Sequence, residues 1–444
     1  MNRGKTVLTV LGLTALLPLN AALTAAALAY RFARVAAGST LGRRQATTPK
    51  TILLCGGKMT KALQLARSFH RAGHRVVLVE SERYWLAAHR YSAAVDRFYT
   101  VPHPDAADYV DALLAIIRRE GVDVYVPVTS PIGSLFDSFA MPRLSAVCEV
   151  VHVGPDVIER LDDKQAFADT ARAMGLRVPQ SIRVTDPSEV LAFDFSGQSR
   201  KFILKSIRYD SVRRLDLTRL PCATPEETAA FVRTLPISAD NPWVLQEFIP
   251  GTEYCTHGTL RGGALTVHCC CVSSAFQINY AHVERPEIEG WVKTFGAALG
   301  LTGQASFDFI EAADDGETYA IECNPRTHSA ITMFYDHPSL ADAYLGAALA
   351  DAPIRPLATS RPTYWFYHEL WRVLAAWRTP RVVLERLRVV VAGKDAVFDW
   401  RDPLPFLMLH HWHVPLLLLR DLKEGRGWIR IDFNIGKLVQ LGGD

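Results

Sequence analysis

No two cysteines in the 444 residues are spaced C-x-x-C, and three of the eight, Cys269, Cys270 and Cys271, are consecutive. A zinc ribbon is thereby excluded, and the count is too sparse for a disulfide scaffold, so the thiols are expected reduced and buried in a cytosolic domain. An excess of either charge is also missing. Lys and Arg number 49 against 46 Asp and Glu, a net charge of +3, which gives no reason to expect nucleic acid as a partner. With 21% charged and 49% hydrophobic residues the chain is not disordered. A mean hydropathy of only +0.06 excludes a polytopic membrane protein and leaves room for one uncharged apolar stretch as an anchor. The length supports two or three domains.

That stretch runs from Thr6 to Tyr30, 25 residues. About 20 apolar residues at ~1.5 Å each cross a hydrocarbon core, which makes it a transmembrane candidate. Gly12, Pro18 and Asn20 weaken it. Arg3 and Lys5 precede it, and Arg31, Arg34, Arg43 and Arg44 follow, a bias that keeps the downstream chain cytoplasmic. The expectation is a membrane-associated helix on the cytoplasmic face; the alternatives are a helix packed on the protein's own core and a cleaved signal peptide.

After the linker Ala46–Lys50, Thr51–Cys55 reads as a short strand, Gly56-Gly57-Lys58 as a turn, Ala62–Phe69 as an amphipathic helix and Arg75–Val79 as a second strand ending at Glu80. Strand, glycine turn, helix, strand is a βαβ unit, the building block of parallel sheets. A helix around Val110–Glu120 and strands at Val122–Val128 and Glu149–Val153 complete a small doubly wound layer over residues 50–154. The G-x-G-x-x-G of a dinucleotide site is absent, since Lys58, Met59, Thr60 and Lys61 follow the glycine pair. A structural Rossmann-like layer is expected, not a dehydrogenase.

Asp162 or Asp163 caps a helix that Lys164 opens, and the strand Phe202–Lys205 ends on a lysine. An ammonium at the end of a buried strand needs a charged partner, and a phosphate would serve. Trp243–Ile249 is another strand. Glu253–Thr259 and Ala264–Ser273 form a hairpin about Arg261-Gly262-Gly263, with the three cysteines as packing on the returning strand. Two further strands, Ala305–Glu311 and Thr318–Asn324, carry Asp308 between Phe307 and Phe309, and Glu322 two residues before Asn324. Residues two apart share a face of a strand, so Glu322 and Asn324 point the same way and a hairpin brings Asp308 beside them. Two carboxylates and an amide among apolar residues repel one another unless a cation lies between. An oxygen-only donor set suits Mg²⁺ or Mn²⁺ and not zinc.

In this order the elements resemble the ATP-grasp carboxylate–amine ligases over about residues 50–340. The resemblance implies that Lys164 and Lys205 hold ATP phosphates. Gln246, Glu247 and the backbone of Phe248 and Ile249 would hold the adenine edge, and Glu253 the ribose. Asp308, Glu322 and Asn324 would bind two Mg²⁺ ions, and Arg326 would face the transferred phosphoryl group. The chain departs from the family after Lys205, where a glycine-rich loop is usual and Ser206–Asp216 contains no glycine. Arg213 and Arg214 are expected to replace the backbone donors through bidentate contacts to phosphate, on a mobile lid. Within the family, Tyr209–Leu217, Asn324–Phe334 and the apolar C-terminal part resemble the mycosporine-glycine synthases. That likeness implies joining of glycine to 4-deoxygadusol, with Asp210, His282, Thr327, His328 and Ser329 near the substrate.

Beyond Ala350 the chain is rich in aromatics, and Pro403–Leu419 is apolar but too short and proline-broken to span a bilayer. It reads equally as a membrane-surface patch or as domain core. His410, His411 and His413 point apart on a helix, against a metal cluster. The expected fold is α/β: a hydrophobic N-terminal segment over 1–48, a Rossmann-like domain over 49–154, an ATP-grasp domain over 155–345 and a helical C-terminal region over 346–444. The expected activity is ATP- and Mg²⁺-dependent C–N ligation of small molecules, and a dimer is plausible. The alternatives are a ligase for another carboxylate and amino-acid pair, and a membrane-tethered nucleotide-binding protein without turnover.

Overall fold

A computed structural model describes residues 3–207, 213, 216–273, 279–346 and 352–440. Helix α1 (Arg3–Ala36) is followed by β1 (Thr51–Leu54), α2 (Thr60–Arg71), β2 (Arg75–Ser81), β3 (Arg97–Val101), α3 (Tyr109–Glu120), β4 (Val124–Val126), α4 (Pro131–Leu144) and β5 (Glu149–Val150). The five strands form one parallel sheet in the order β3-β2-β1-β4-β5. Strand β3, Arg-Phe-Tyr-Thr-Val, escaped the sequence analysis because it is an edge strand with no continuous apolar run. Strands β4 and β5 are shorter than the runs that announced them.

Gly56 turns the chain at φ +73°, and a Cβ there would lie 1.7 Å from the carbonyl oxygen of Val128, so only glycine fits. The next residues close the site a dinucleotide would use. Glu80 accepts from the Lys58 backbone N–H at 2.9 Å and from Lys58 Nζ at 3.2 Å, and is buried.

The second part begins with α5 (Pro155–Asp162) and α6 (Lys164–Ala173). Asp163 caps α6 by accepting from the N–H groups of Gln165 and Ala166. Next come β6 (Ser181–Val184), α7 (Pro187–Leu191), β7 (Phe202–Ser206), α8 (Pro225–Arg233) and β8 (Trp243–Glu247). These strands make a small antiparallel sheet with β8 in the middle, closed by its own core around Phe202, Leu245 and the fully buried Trp243.

The larger antiparallel sheet is built from β9 (Gly251–Arg261), β10 (Ala264–Val272), β12 (Gly303–Ala312) and β13 (Thr318–Asn324), in the order β10-β9-β12-β13. Between β10 and β12 lie β11 (Asn279–Tyr280) and α9 (Pro286–Ala298). One face of the sheet packs on an aromatic cluster: Trp291 stacks on Phe295 at 5.0 Å, and Phe307 meets Phe167 of α6 at 6.2 Å. Both faces of β10 are covered. Cys269 and Cys271 enter the core shared with the parallel sheet, while Cys270 enters the aromatic one.

The C-terminal part comprises α10 (Leu340–Leu345), β14 (Thr363–Tyr364), α11 (Phe366–Ala375), α12 (Pro380–Ala392), β15 (Lys394–Asp395), α13 (Leu404–Met408), a π-helical turn at Leu409–His413, α14 (Val414–Glu424) and the hairpin β16 (Arg430–Asp432)–β17 (Lys437–Val439). It carries strands as well as helices. Phe406, Leu409, Val414 and Leu418 are buried in one core with Ile52 and Leu54, so much of the Pro403–Leu419 run is interior. The three histidines diverge: His410 stacks on Tyr367 at 4.0 Å, His411 bonds Asn20 at 2.7 Å, and His413 lies edge-on to Tyr84.

Helix α1 lies along this C-terminal part. Its buried residues are Thr6, Leu13, Asn20, Thr24 and Ala27, a seam spaced by sevens, fours and threes. Thr6 accepts from Trp428 Nε1 at 2.9 Å, and Asn20 Nδ2 donates to the Tyr367 hydroxyl at 2.5 Å. Its uncharged face is long and apolar enough to cross a membrane, yet one seam of it is committed to the protein.

Phe307 is fully buried between the metal-strand candidates and the aromatic cluster. Replacing it with alanine is expected to cost ~3–5 kcal/mol, checked by denaturant unfolding monitored through tryptophan fluorescence.

Candidate active site

Strands β12 and β13 place Asp308 directly opposite Glu322, and Ser306 opposite Asn324. Phe307, Phe309, Ile321 and Cys323 are buried, so the alternation of a strand puts Asp308, Glu322 and Asn324 together on the other face, half-buried. Asn324 Nδ2 lies 3.4 Å from both Asp308 Oδ2 and Glu322 Oε1. The ladder shifts register between Asp308 and Phe309, a bulge beside the carboxylate pair.

Cations from two other elements close on this face. Lys164, the first residue of α6, holds Nζ 3.7 Å from Glu322 Oε2. Lys205 comes from β7 of the small sheet. Burial pushes its ammonium below the ordinary lysine value, against the pull of Glu322, Asp308 and Glu253. The two carboxylates respond in opposite ways. Burial and the charge of Glu322 drive Asp308 well above the usual carboxylate range. Burial would raise Glu322 too, but Lys164 and Lys205 hold it down to about 2. The pair therefore keeps a proton on Asp308 and a charge on Glu322, as like-charged neighbours must when nothing positive lies between them.

Arg326 sits at the end of β13, with Nη1 3.3 Å from Asp162 Oδ1 and Nη2 donating to Asn324 Oδ1. Glu253 accepts from Ser273 Oγ at 3.0 Å. An ammonium group from α6 and one from the small sheet are brought to the carboxylate face of the large sheet.

No family model matches the chain, and no curated protein sequence matches it. Among solved structures, N5-carboxyaminoimidazole synthetase from Staphylococcus aureus, determined with ADP, superposes with a TM-score of 0.53 at 16% identity, covering 72% of this chain and 82% of that one. Biotin carboxylase from Campylobacter jejuni, in a complex with β-γ-ATP, gives 0.51 at 14% identity over 68% and 72%. The chain has the ATP-grasp fold. It also spans 28% of the length of a Rhizobium etli pyruvate carboxylase, at a TM-score of 0.48.

Within the ATP-grasp fold the remaining sequence candidates separate. Gln246 is buried in β8 between β6 and β7. Glu247 accepts from the Gln180 N–H at 3.1 Å and from Arg200 Nη1 at 3.3 Å. The Phe248 N–H is taken by the Lys201 carbonyl at 2.7 Å, and among the described residues its own carbonyl and the Ile249 N–H have no backbone partner. Arg213 is half-buried in a turn, and Asp210 and Arg214 lie outside the described residues. Thr327 and Ser329 belong to the interior: Thr327 Oγ1 donates to Gln304 at 2.5 Å, and Ser329 Oγ accepts from Asn434 at 2.6 Å. His328 caps the next turn by accepting from the Ala330 N–H, its ring edge-on to Tyr280, and burial pushes it down to about 3. His282 sits on the edge of β10, beside Glu284 at 3.3 Å and away from the carboxylate pair.

Two residues escaped the sequence analysis. Lys61, on the first turn of α2, donates to the Thr327 carbonyl at 2.7 Å and so ties the parallel-sheet domain to the segment after Asn324. Burial, then Arg326, pushes it down to about 7. Arg200 bonds Glu247 of the small sheet and both Asp314 and Asp315 in the turn of the large one. The second lysine after the glycine turn was the available signal for Lys61; Arg200 lies in a polar loop and left none.

Folded Asp308 binds its proton more tightly than the unfolded chain does, so it erodes stability as pH rises above the ordinary carboxylate range. Glu322 does the reverse, and only at acid pH. In protein freed of divalent cations, Asp308→Asn is expected to be more stable than the wild type at pH 8 by up to ~1 kcal/mol, the gap closing towards pH 4. Paired thermal melts across that range check it.

Proposed function

We propose that the chain is an ATP-dependent carbon–nitrogen ligase. The observation that carries this is the register pair Asp308–Glu322 with Asn324, faced by Lys164 and Lys205 from separate elements. The likeness in fold to structures determined with ADP and β-γ-ATP supports it.

The donor set fits a hard divalent cation. Asp308, Glu322 and Asn324 offer oxygen alone, and among the described residues no cluster of three His, Cys, Asp or Glu competes for a softer metal. Asn324 would turn its oxygen towards both carboxylates by an amide flip, which also releases the Arg326 guanidinium from that oxygen. Mg²⁺ bound there supplies charge neutralisation for the phosphates. Two ions, with Mn²⁺ as a substitute, are part of the reading.

Phosphoryl transfer needs positioned positive charge more than it needs a protein nucleophile. Lys164 and Lys205 would hold ATP phosphates, with Arg213 and Arg214 closing from the loop beyond β7. The carbonyl of Phe248 and the N–H of Ile249 would hold the adenine edge, with Gln246 and Glu247 behind them, and Glu253 the ribose. Arg326 would face the transferred group. The phosphoryl group passes to an oxygen of the acceptor and ADP leaves. The amine then forms its bond to that carbon as phosphate departs with the bonding pair and the amine sheds a proton.

The finer reading is that the amine is glycine and the acceptor 4-deoxygadusol, giving mycosporine-glycine. It is supported by the likeness of the Tyr209–Leu217 and Asn324–Phe334 segments to the synthases of that product. Asp210, His282, Thr327, His328 and Ser329 are its substrate candidates. Of these, Thr327 and Ser329 act through the scaffold they bond.

ADP release, screened over amino acids with small cyclic ketones and with carboxylates, tests both levels. Release that needs Mg²⁺, an amine and an acceptor together is expected, greatest for glycine with the cyclohexenone. Glu322→Gln is expected to lose activity on the order of 10²–10³-fold while keeping its circular dichroism spectrum. Nucleotide binding without release under any pair would leave a non-catalytic binding protein.

A further inference from the structure

Helix α1 turns apolar side chains outward as well as inward, where Leu13 joins the protein core with Val10 and Leu16 against it. Thr6, Asn20 and Thr24 face the protein, while Leu8, Leu19 and Phe32 face outward, 71%, 67% and 76% exposed. A helix on a water-soluble surface turns its apolar stripe inward. From Val7 to Ala29 the outward face carries no charge, a length of ~34 Å. Protein contacts run from Lys5 and Thr6 at one end, through Asn20, to Tyr30 against Trp400 at the other. The helix therefore lies along the protein, apolar side out, and does not project from it.

The uncharged face ends at a cationic cleft. Arg31 begins it, and the Tyr30 and Trp400 rings stand at its edge 6.2 Å apart, both near half exposure. The cleft, about 530 Å³ including its open side, is lined by Arg31, Arg43, Arg71, Arg401 and Asp399, beside the paired Arg67 and Asp402. Asp402 neutralises Arg67 at 2.8 Å. Among the described residues, the side chains of Arg31, Arg43, Arg71 and Arg401 have no hydrogen-bonding or ion-pair partner. Four guanidinium groups against one remaining carboxylate make a site for an anion with several oxygens.

A second basic and aromatic patch lies on the α11–α12 hairpin, joined to α1 by the Asn20–Tyr367 bond. Trp371 and Trp377 are more than two-thirds exposed, and α12 buries no residue. Residues 371–392 hold five arginines and one glutamate. Exposed apolar residues of this kind, rimmed with tryptophan and arginine, match an anionic lipid surface. A second copy of the chain would bring like charges together.

We propose that the protein lies on a membrane of anionic phospholipid, with the outward face of α1 in the acyl boundary and a lipid phosphate in the cleft formed by Arg31, Arg43, Arg71 and Arg401. None of these residues belongs to the carboxylate and lysine site, so the inference stands apart from the ligase reading.

Flotation of the full chain with phosphatidylcholine vesicles, with and without phosphatidylglycerol, tests it. Flotation is expected only with the anionic lipid. Arg43→Glu with Arg401→Glu is expected to weaken partitioning at least about tenfold. Leu19→Glu with Phe32→Glu, both at exposed positions, is expected to abolish it with ADP release and thermal melting unchanged. Equal flotation on both vesicle types would overturn the headgroup site. So would binding of inorganic phosphate to the cleft by calorimetry without flotation. Absence of flotation together with a dimer that Phe32→Glu dissociates would assign the face to a second copy instead.

Discussion

Two carboxylates held face to face across a strand ladder are the constraint on which the rest of the site depends. Asp308 and Glu322 cannot both be charged at that separation without something positive beside them, and the fold spends several elements supplying it. Lys164 is brought by a helix whose cap, Asp163, fixes where the first turn begins. Lys205 is brought by a different sheet. The ladder itself is stiffened from behind by Phe307, Phe309, Trp291 and Phe295, so the acidic face has a rigid backing.

The same view explains the contacts between the parts. Arg200 reaches from the small sheet to two aspartates in the turn of the large one, and Lys61 reaches from the parallel-sheet domain to the carbonyl after Arg326. Neither bonds the carboxylate pair; both tie separate elements around it.

Elements whose identity depends on local pattern were legible in the sequence. The alternation around Asp308 and Glu322, the double-glycine hairpin, the helix cap and the βαβ start all stand where the residues place them. Edge strand β3 was not legible, because half its residues face solvent and leave no periodic apolar signal. The fates of Thr327 and Ser329 were hidden for another reason. Their partners, Gln304 and Asn434, are distant in the chain, and no local pattern announces a hydrogen bond across a core. The long uncharged helix was legible as apolar. Which side of it faces the protein was not, since that depends on Tyr367, His411 and Trp428 from the other end of the chain.

The core beneath the parallel sheet joins segments far apart along the chain. Ile52 and Leu54 share it with Phe433 and Leu438, and the N–H of Thr60 donates to the carbonyl of Asn434 at 2.8 Å. During synthesis the parallel-sheet domain thus emerges from the ribosome with one flank uncovered, and stays so until residues 433–438 have followed. The parallel-sheet domain therefore cannot close its core until that distant segment has been made, and a ribosome stalled before it would display an open, sticky flank to the cell's chaperones.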